Sequence, residues 1–211
     1  MPEINADVDL AKTSDYKRLY DIAALLVAFL LFLPLWILLA VIIPIAIWLG
    51  DRGPVFYRQE RAGINGQTFT ILKFRSMIPN APIAGPAWTS KNDPRITTVG
   101  KVLRRTALDE LPELLSILKG DMSFVGPRAL DVNEHRELEE KIEAFATRLK
   151  VRPGLTGMAQ VYDRQDNATD KLAYDLSYID SMNPILDTKL IILSVINTIG
   201  ARWDQRTGKG L

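Results

Sequence analysis

The hydrophobic pattern of the chain changes abruptly near its front. From Ile22 to Leu49 there is no charged residue, and only Pro34 and Pro44 fall outside the hydrophobic set. An uncharged apolar run longer than about 18 residues predicts a membrane helix. Straight, this run would measure about 42 Å at 1.5 Å per residue, longer than a hydrocarbon core of about 30 Å. Pro34 removes a backbone hydrogen bond and clashes with the preceding turn, so a kink is expected there. The two arms, Ile22 to Leu33 and Leu35 to Leu49, would be about 18 and 22 Å long, too short to cross singly and able to dip in and return. Lys12, Lys17 and Arg18 precede the run, and Arg52, Arg58 and Arg61 follow it. Positive charge on both flanks suits a hairpin with both ends on the cytoplasmic side, whereas a span concentrates it on one. These residues alone leave a re-entrant hairpin and a kinked single span both open. The length and late start of the run argue against a cleaved signal peptide.

Beyond the run the pattern is that of a polar domain. Residues 1 to 15 read as a loose tail. Val55 to Gln59 and Gln67 to Phe74 alternate as strands around Gly63-Ile64-Asn65-Gly66, and Asn-Gly between two such runs predicts a hairpin. Pro79 to Pro94 is a long loop rich in proline and glycine, of the kind that serves function or stays disordered. Helical spacing returns at Val99 to Leu108, Leu111 to Leu118, Asn133 to Lys150 and Lys171 to Met182. Glycine-punctuated loops at Gly120 to Arg128 and Arg152 to Gly157 separate these helices. Pro184 to Trp203 is a second apolar stretch at helical spacing, interrupted by Asp187, Thr188, Lys189 and Asn197; it predicts a core helix before one lying in a membrane interface. The fold class is α+β: a mostly helical cytoplasmic domain with a small β-hairpin or sheet, preceded by a re-entrant, Pro-broken membrane helix. The divisions are 1–21, tail and basic flank; 22–49, membrane helix-hairpin; and 50–211, catalytic domain.

Composition changes this picture mainly by exclusion. Lys and Arg number 26 against 25 Asp and Glu, which gives no basic surplus for nucleic acid. There is no cysteine, so thiolate metal sites and Cys nucleophiles are out. The single histidine, His135, lies in the charged run NEHRELEEKIE and reads as a solvated helix-face residue. Chemistry then falls to carboxylates, Lys and Arg, with a hard, oxygen-ligated ion such as Mg²⁺ as the natural cofactor.

Leu103 to Leu115, LRRTALDELPELL, carries the densest chemistry. Proline is tolerated only in the first helical turn, so Pro112 places the helix start at Leu108 or Asp109, with Asp109 as N-cap and Glu110 as first helical residue. Two carboxylates at a helix N-terminus with Arg104 and Arg105 upstream describe a site for a phosphate and a divalent ion; ordinary helix capping explains the same residues. Gly126-Pro127-Arg128 is a rigid turn that presents a guanidinium, and Arg152-Pro153-Gly154 repeats it, with small residues that let backbone approach a ligand. Lys73 and Arg75 alternate on one face of the second hairpin strand.

These residues carry a resemblance. Lys73-Phe74-Arg75-Ser76-Met77, DPRITTVGKVLRRTALDELPELL, LKGDMSFVGPR and RPGLTGMAQV, in that order, resemble the bacterial monotopic phosphoglycosyl transferases, in their minimal single-domain form, over Lys17 to Ile199. The resemblance implies an enzyme that moves a phospho-sugar from a UDP-sugar to polyprenol phosphate at the cytoplasmic face of the bacterial inner membrane, releasing UMP and starting a glycoconjugate such as an exopolysaccharide. It implies that Asp109 is the nucleophile, that Glu110 prepares the acceptor or orients the dyad, and that Mg²⁺ bridges Asp109 and the diphosphate. Lys73, Arg104, Arg128 and Arg152 would then neutralise phosphate charge. Asp175 falls on another acidic position of the family, and Pro127 and Gly154 on the two turns. The partners implied are the donor, the acceptor and membrane lipid; whether the chain is a homo-oligomer is left open. Three departures stand out. Leu33, and not a serine, precedes Pro34; Ala129 follows Gly126-Pro127-Arg128 where a proline is common; and Tyr162-Asp163-Arg164-Gln165-Asp166 replaces the usual sequence after RPGLTGMAQV. The alternatives are a membrane-anchored phosphatase or nucleotidyl transferase using the same acids, and a single-span scaffold without activity.

Overall fold

A computed structural model describes residues 10–81, 93–163 and 167–200. The apolar run forms two helices, α1 (Leu10–Leu31) and α2 (Leu33–Asp51), meeting at Phe32. The helix therefore begins earlier than the expected tail allows, at Leu10, and breaks two residues before Pro34. Pro34 sits in the first turn of α2, where its missing N–H has no helical partner to lose. Pro44 lies inside α2 without ending it. At 19 residues α2 is the one described helix long and apolar enough to cross a membrane, so the expected arm of about 22 Å is exceeded. The Trp36 indole donates to the Ala28 carbonyl (3.0 Å) across the break.

The hairpin forms as predicted, with β1 (Phe56–Ala62) and β2 (Thr68–Phe74) antiparallel from Phe56↔Phe74 to Ala62↔Thr68. Asn65 and Gly66 both adopt positive φ, 54° and 77°, which is the reason an Asn-Gly pair closes this turn. Helices α3 (Thr98–Arg105), α4 (Leu114–Lys119), α5 (Val132–Lys141), α6 (Met158–Tyr162), α7 (Ala168–Ser181) and α8 (Pro184–Ile199) follow. The expected helix Asn133 to Lys150 is divided: after Lys141 the chain turns through Ala144 (φ 59°) into a 3-10 turn, Phe145–Lys150. Both glycine-punctuated loops contain strands the sequence did not announce. Here β3 (Ser123–Val125) and β4 (Gly154–Thr156) pair in parallel, a second two-stranded sheet.

Three apolar clusters hold the body together. Val125, Val151, Tyr178, Ile179, Met182 and Leu190 form one, Ile71, Ile117 and Met122 another. The third joins Ile43 and Ile47 of α2 to Phe74 of β2 and Leu103 of α3, with Leu108 and Leu111 packed against it. The foot of α2 is thus part of the domain core, while its upper residues, such as Ile37 and Val41, are exposed. α8 is only half a core helix: Asp187 and Leu190 are fully buried, whereas Ile185 and Ile199 are 82% and 81% exposed. His135 also differs from expectation. It is buried against the Phe145 ring, with centroids 5.3 Å apart, and is not a solvated face residue. Trp203, Arg164 to Asp166 and most of the loop Pro79 to Pro94 lie outside the described residues.

Candidate active site

Thr97 caps α3 by accepting from the Gly100 N–H, and α3 ends at Arg105. The chain then reverses through Ala107 in a left-handed conformation (φ 54°) and enters a 3-10 turn, Leu108–Glu113. Asp109 is therefore not the N-cap; that position is Ala107, and Asp109 and Glu110 are inside the turn. The reason is Leu108 and Leu111, which pack onto the cluster that Ile43 and Ile47 share with Phe74 and Leu103. The acids are left on the other side, facing β2.

β2 supplies the opposing charge. Phe69, Ile71 and Lys73 share one face by the two-residue period of a strand, and Ile71 is in the core. Lys73 continues that face into the acids: its Nζ donates to Glu110 Oε1 (2.7 Å) and lies 2.9 Å from Glu113 Oε1. Arg128 donates from Nη2 to the same Glu110 oxygen (3.1 Å). Burial would raise the Glu110 carboxyl, but Lys73 and Arg128 outweigh it and hold it down at about 2. Asp109 behaves oppositely. It is 9% exposed, and burial, then the Glu110 charge, push it up to about 6 against the pull of Lys73 and Arg104. Neighbouring carboxylates with proton affinities driven apart are a signature of divided chemical roles.

Asp109, Glu110, Lys73, Arg104 and Arg128 thus come together as the sequence predicted, and Glu113, buried beside them, was missed. Its signal was spacing. Residues three apart eclipse in a 3-10 turn, but the segment reads as the start of an α-helix, whose first turn tolerates Pro112 equally well. The remaining candidates sit one layer back. Arg152 donates from Nε to the Gly120 carbonyl (2.8 Å) at the end of α4. Asp175, 2% exposed, is ion-paired with Arg148, whose Nη2 donates to the Arg128 carbonyl (3.0 Å). Pro127 accepts from the Gly154 N–H (2.9 Å), and a methyl group at Gly154 would collide with the Gly126 backbone. The glycines let the two turns approach each other, so Arg128 projects from a laced, rigid base. Arg75 is not on the Lys73 face; it leaves the strand end to pair with Asp51 of α2.

Among the described residues no group of three or more His, Asp or Glu side chains is placed to hold a metal. Asp109 is nonetheless a hard oxygen donor in a buried position. Mg²⁺ commonly takes one or two carboxylates and completes its shell with substrate phosphates and water, so the donor set fits that ion in company with a diphosphate.

The model of the bacterial sugar transferase family matches residues 12–201. The exopolysaccharide production protein ExoY of Rhizobium meliloti is 38% identical over 195 residues, covering 85% of this chain and 83% of that protein. The UDP-glucose:undecaprenyl-phosphate glucose-1-phosphate transferase of Escherichia coli is 37% identical over 187 residues, 85% of this chain but 39% of the longer relative. An Aeromonas hydrophila UDP-N-acetylgalactosamine-undecaprenyl-phosphate N-acetylgalactosaminephosphotransferase is 38% identical over 187 residues, 87% and 43% of the two chains.

Proposed function

This chain belongs to the bacterial sugar transferase family, and on that premise we propose that it transfers a phospho-sugar from a UDP-sugar to polyprenol phosphate, through a covalent intermediate on Asp109. One observation carries the reading: a buried carboxylate of raised proton affinity, ringed by Lys73, Arg104 and Arg128, sits where the apolar helix enters the domain.

Asp109 attacks the phosphorus that bears the sugar. The bond from that phosphorus to the bridging oxygen breaks, and UMP leaves with the electron pair. A polyprenol phosphate oxygen then attacks the same phosphorus, and the Asp109–phosphorus bond breaks to regenerate the carboxylate. A carboxylate nucleophile divides one difficult displacement into two. Arg128 would meet the charge that develops on phosphoryl oxygens, with Lys73 acting through Glu110, and positioned charge of this kind supplies most of phosphoryl-transfer catalysis. In the resting site both cations are engaged by Glu110, so they are held in place before substrate arrives. Mg²⁺, held by Asp109 and the diphosphate, would supply further charge neutralisation.

The membrane geometry is read the same way. Lys17 and Asp21 before the apolar run, and Ile43, Ile47 and Asp51 at its end, all attach to one body. Re-entry returns both flanks to one bilayer surface, whereas a span would separate them. That surface is the cytoplasmic face of the inner membrane, where a soluble nucleotide sugar meets an embedded lipid phosphate.

The test is UMP release from a panel of UDP-sugars by detergent-purified protein with Mg²⁺, with and without polyprenol phosphate. Lipid-dependent UMP from one donor, lost by orders of magnitude in Asp109→Asn, is expected. Repeated turnover without lipid would make the protein a hydrolase instead, and near-normal activity in Asp109→Asn would remove Asp109 as the nucleophile.

A further inference from the structure

Glu113 is the one acid of the cluster that the mechanism above does not use. It is 5% exposed, more buried than Asp109, and its Oε1 lies 2.9 Å from Lys73 Nζ. That contact lacks hydrogen-bond geometry, so it acts as charge, while the aligned Lys73 proton goes to Glu110 at 2.7 Å. Glu110 and Glu113 are three residues apart within one 3-10 turn. Residues at that spacing eclipse in a 3-10 helix, which has three residues per turn. In an α-helix they would diverge by about 60°, because each residue advances by about 100°. The winding therefore stacks two carboxylates over a single ammonium.

We propose that Glu113 is a positioning residue: it pins Lys73 from the buried side so that the ammonium holds Glu110 in its working orientation. The side chains divide the task by depth. The Glu113 side chain is 6% exposed and the Glu110 side chain 21%, so Glu110 is the one that substrate can reach. Burial pushes the Glu113 carboxyl up and the Lys73 charge opposes this, so the pair is interdependent. Without Glu113, Lys73 keeps its bond to Glu110 but loses its lower anchor. Lysine is a flexible point charge on four methylenes, and a single contact orients it poorly.

The inference rests on the proposed reaction and assigns Glu110 to its second half, the attack by polyprenol phosphate. Two readouts on the same protein separate the halves: the single-turnover burst of UMP without lipid, and steady turnover with it. In Glu113→Gln the burst is expected to keep its amplitude and rate within about twofold, while lipid-dependent turnover falls about tenfold, a loss equivalent to about 1.4 kcal/mol. Glu113→Asp, which keeps the charge but withdraws it by one methylene, should lose turnover in the same way. In a Lys73→Met background, Glu113→Gln should cost nothing more, because the residue acts through Lys73. Unchanged turnover in both Glu113 variants overturns the proposal. So does a parallel fall of burst and turnover, which is the mark of a general structural defect, or an additive loss on top of Lys73→Met. A wild-type protein that releases no UMP under either condition rejects the proposed function itself.

Discussion

Asp109 is placed where its ionised form costs the fold stability. The gap between about 6 in the folded chain and the ordinary value of 3.8 corresponds to about 3 kcal/mol at most. The sign follows from the direction. A carboxyl raised on folding is neutral in both states below about pH 4, and there it costs nothing. Between about pH 4 and 6 the unfolded chain ionises it while burial and Glu110 keep the folded chain from doing so; stability is lost across that window and stays lost above it. Asp109→Asn, which cannot ionise, should therefore unfold at a higher temperature than wild type at pH 7.5, by several degrees. The difference should vanish near pH 4; thermal unfolding at both pH values, without divalent ions, measures it. An Asn variant no more stable at pH 7.5 would mean that Asp109 is not electrostatically strained. The proposed role of Asp109 predicts an acid limb in kcat/KM with a midpoint near 6, because only the ionised carboxylate can attack. Lost activity with gained stability is the pattern expected of a residue held for chemistry.

Elements were legible in the sequence to the extent that local chemistry decides them. The hairpin could be read from alternation and Asn-Gly because two residues with positive φ set its turn. The acids and arginines could be read as a group, but the winding that aims them could not: Leu108 and Leu111 are drawn onto a cluster whose members come from α2, β2 and α3, the first more than 60 residues away in sequence. β3 and β4 were hidden for a related reason. Three-residue strands have no periodicity to detect, and their pairing depends on Gly126 and Gly154 meeting backbone to backbone. His135 was misread because its helix face is charged on both sides, yet Phe145 from the next turn covers it. The break in the apolar run shows both outcomes. Pro34 predicted it, and the missing serine left open what braces it. Trp36 is the answer: it lies eight residues after Ala28, about 12 Å along a straight helix, too far for its indole to reach that carbonyl, so the bond can form only across a bend. In lipid an unmet indole N–H is costly. Trp36→Phe keeps the ring and removes the donor; spin labels at positions 23 and 45 should then report a broadened distance distribution between the arms. An unchanged distribution would assign the bend to Pro34 alone.

At the scale of the whole molecule, Lys17 and Arg18, read from the sequence as part of the basic flank of the apolar run, turn out to be part of the joint. Lys17 is 6% exposed and donates to the Val125 carbonyl, the Tyr178 hydroxyl and Asp187 Oδ2, each at 2.8 Å. Asp21 accepts from the Ser123 hydroxyl and the Phe124 N–H, and Arg18 donates to the Ile117 and Leu118 carbonyls at the end of α4. α1 therefore grips β3 along its length, and β3 runs directly into Gly126-Pro127-Arg128. The apolar segment is fixed to the strand that leads into the Glu110-binding arginine, while its far end is fixed through Asp51 and Arg75 to the end of the strand that carries Lys73. Two consequences can be measured. Lys17→Met leaves Asp187, which is fully buried, without its cation. Stranding a buried charge costs about 3–5 kcal/mol, so the unfolding temperature in detergent should fall on the order of 10 °C; a loss no greater than that of an exposed lysine would mean the pair is not structural. Because the chain has no cysteine, single cysteines report topology cleanly. Glu3→Cys, before the apolar run, and Glu140→Cys, exposed on α5, should both resist an impermeant thiol reagent in intact cells and both react after lysis. Labelling of the first alone would put the two flanks on opposite sides of the bilayer. It would force α1 to leave β3, and the grip on Val125 would then have to break for the protein to enter the membrane at all.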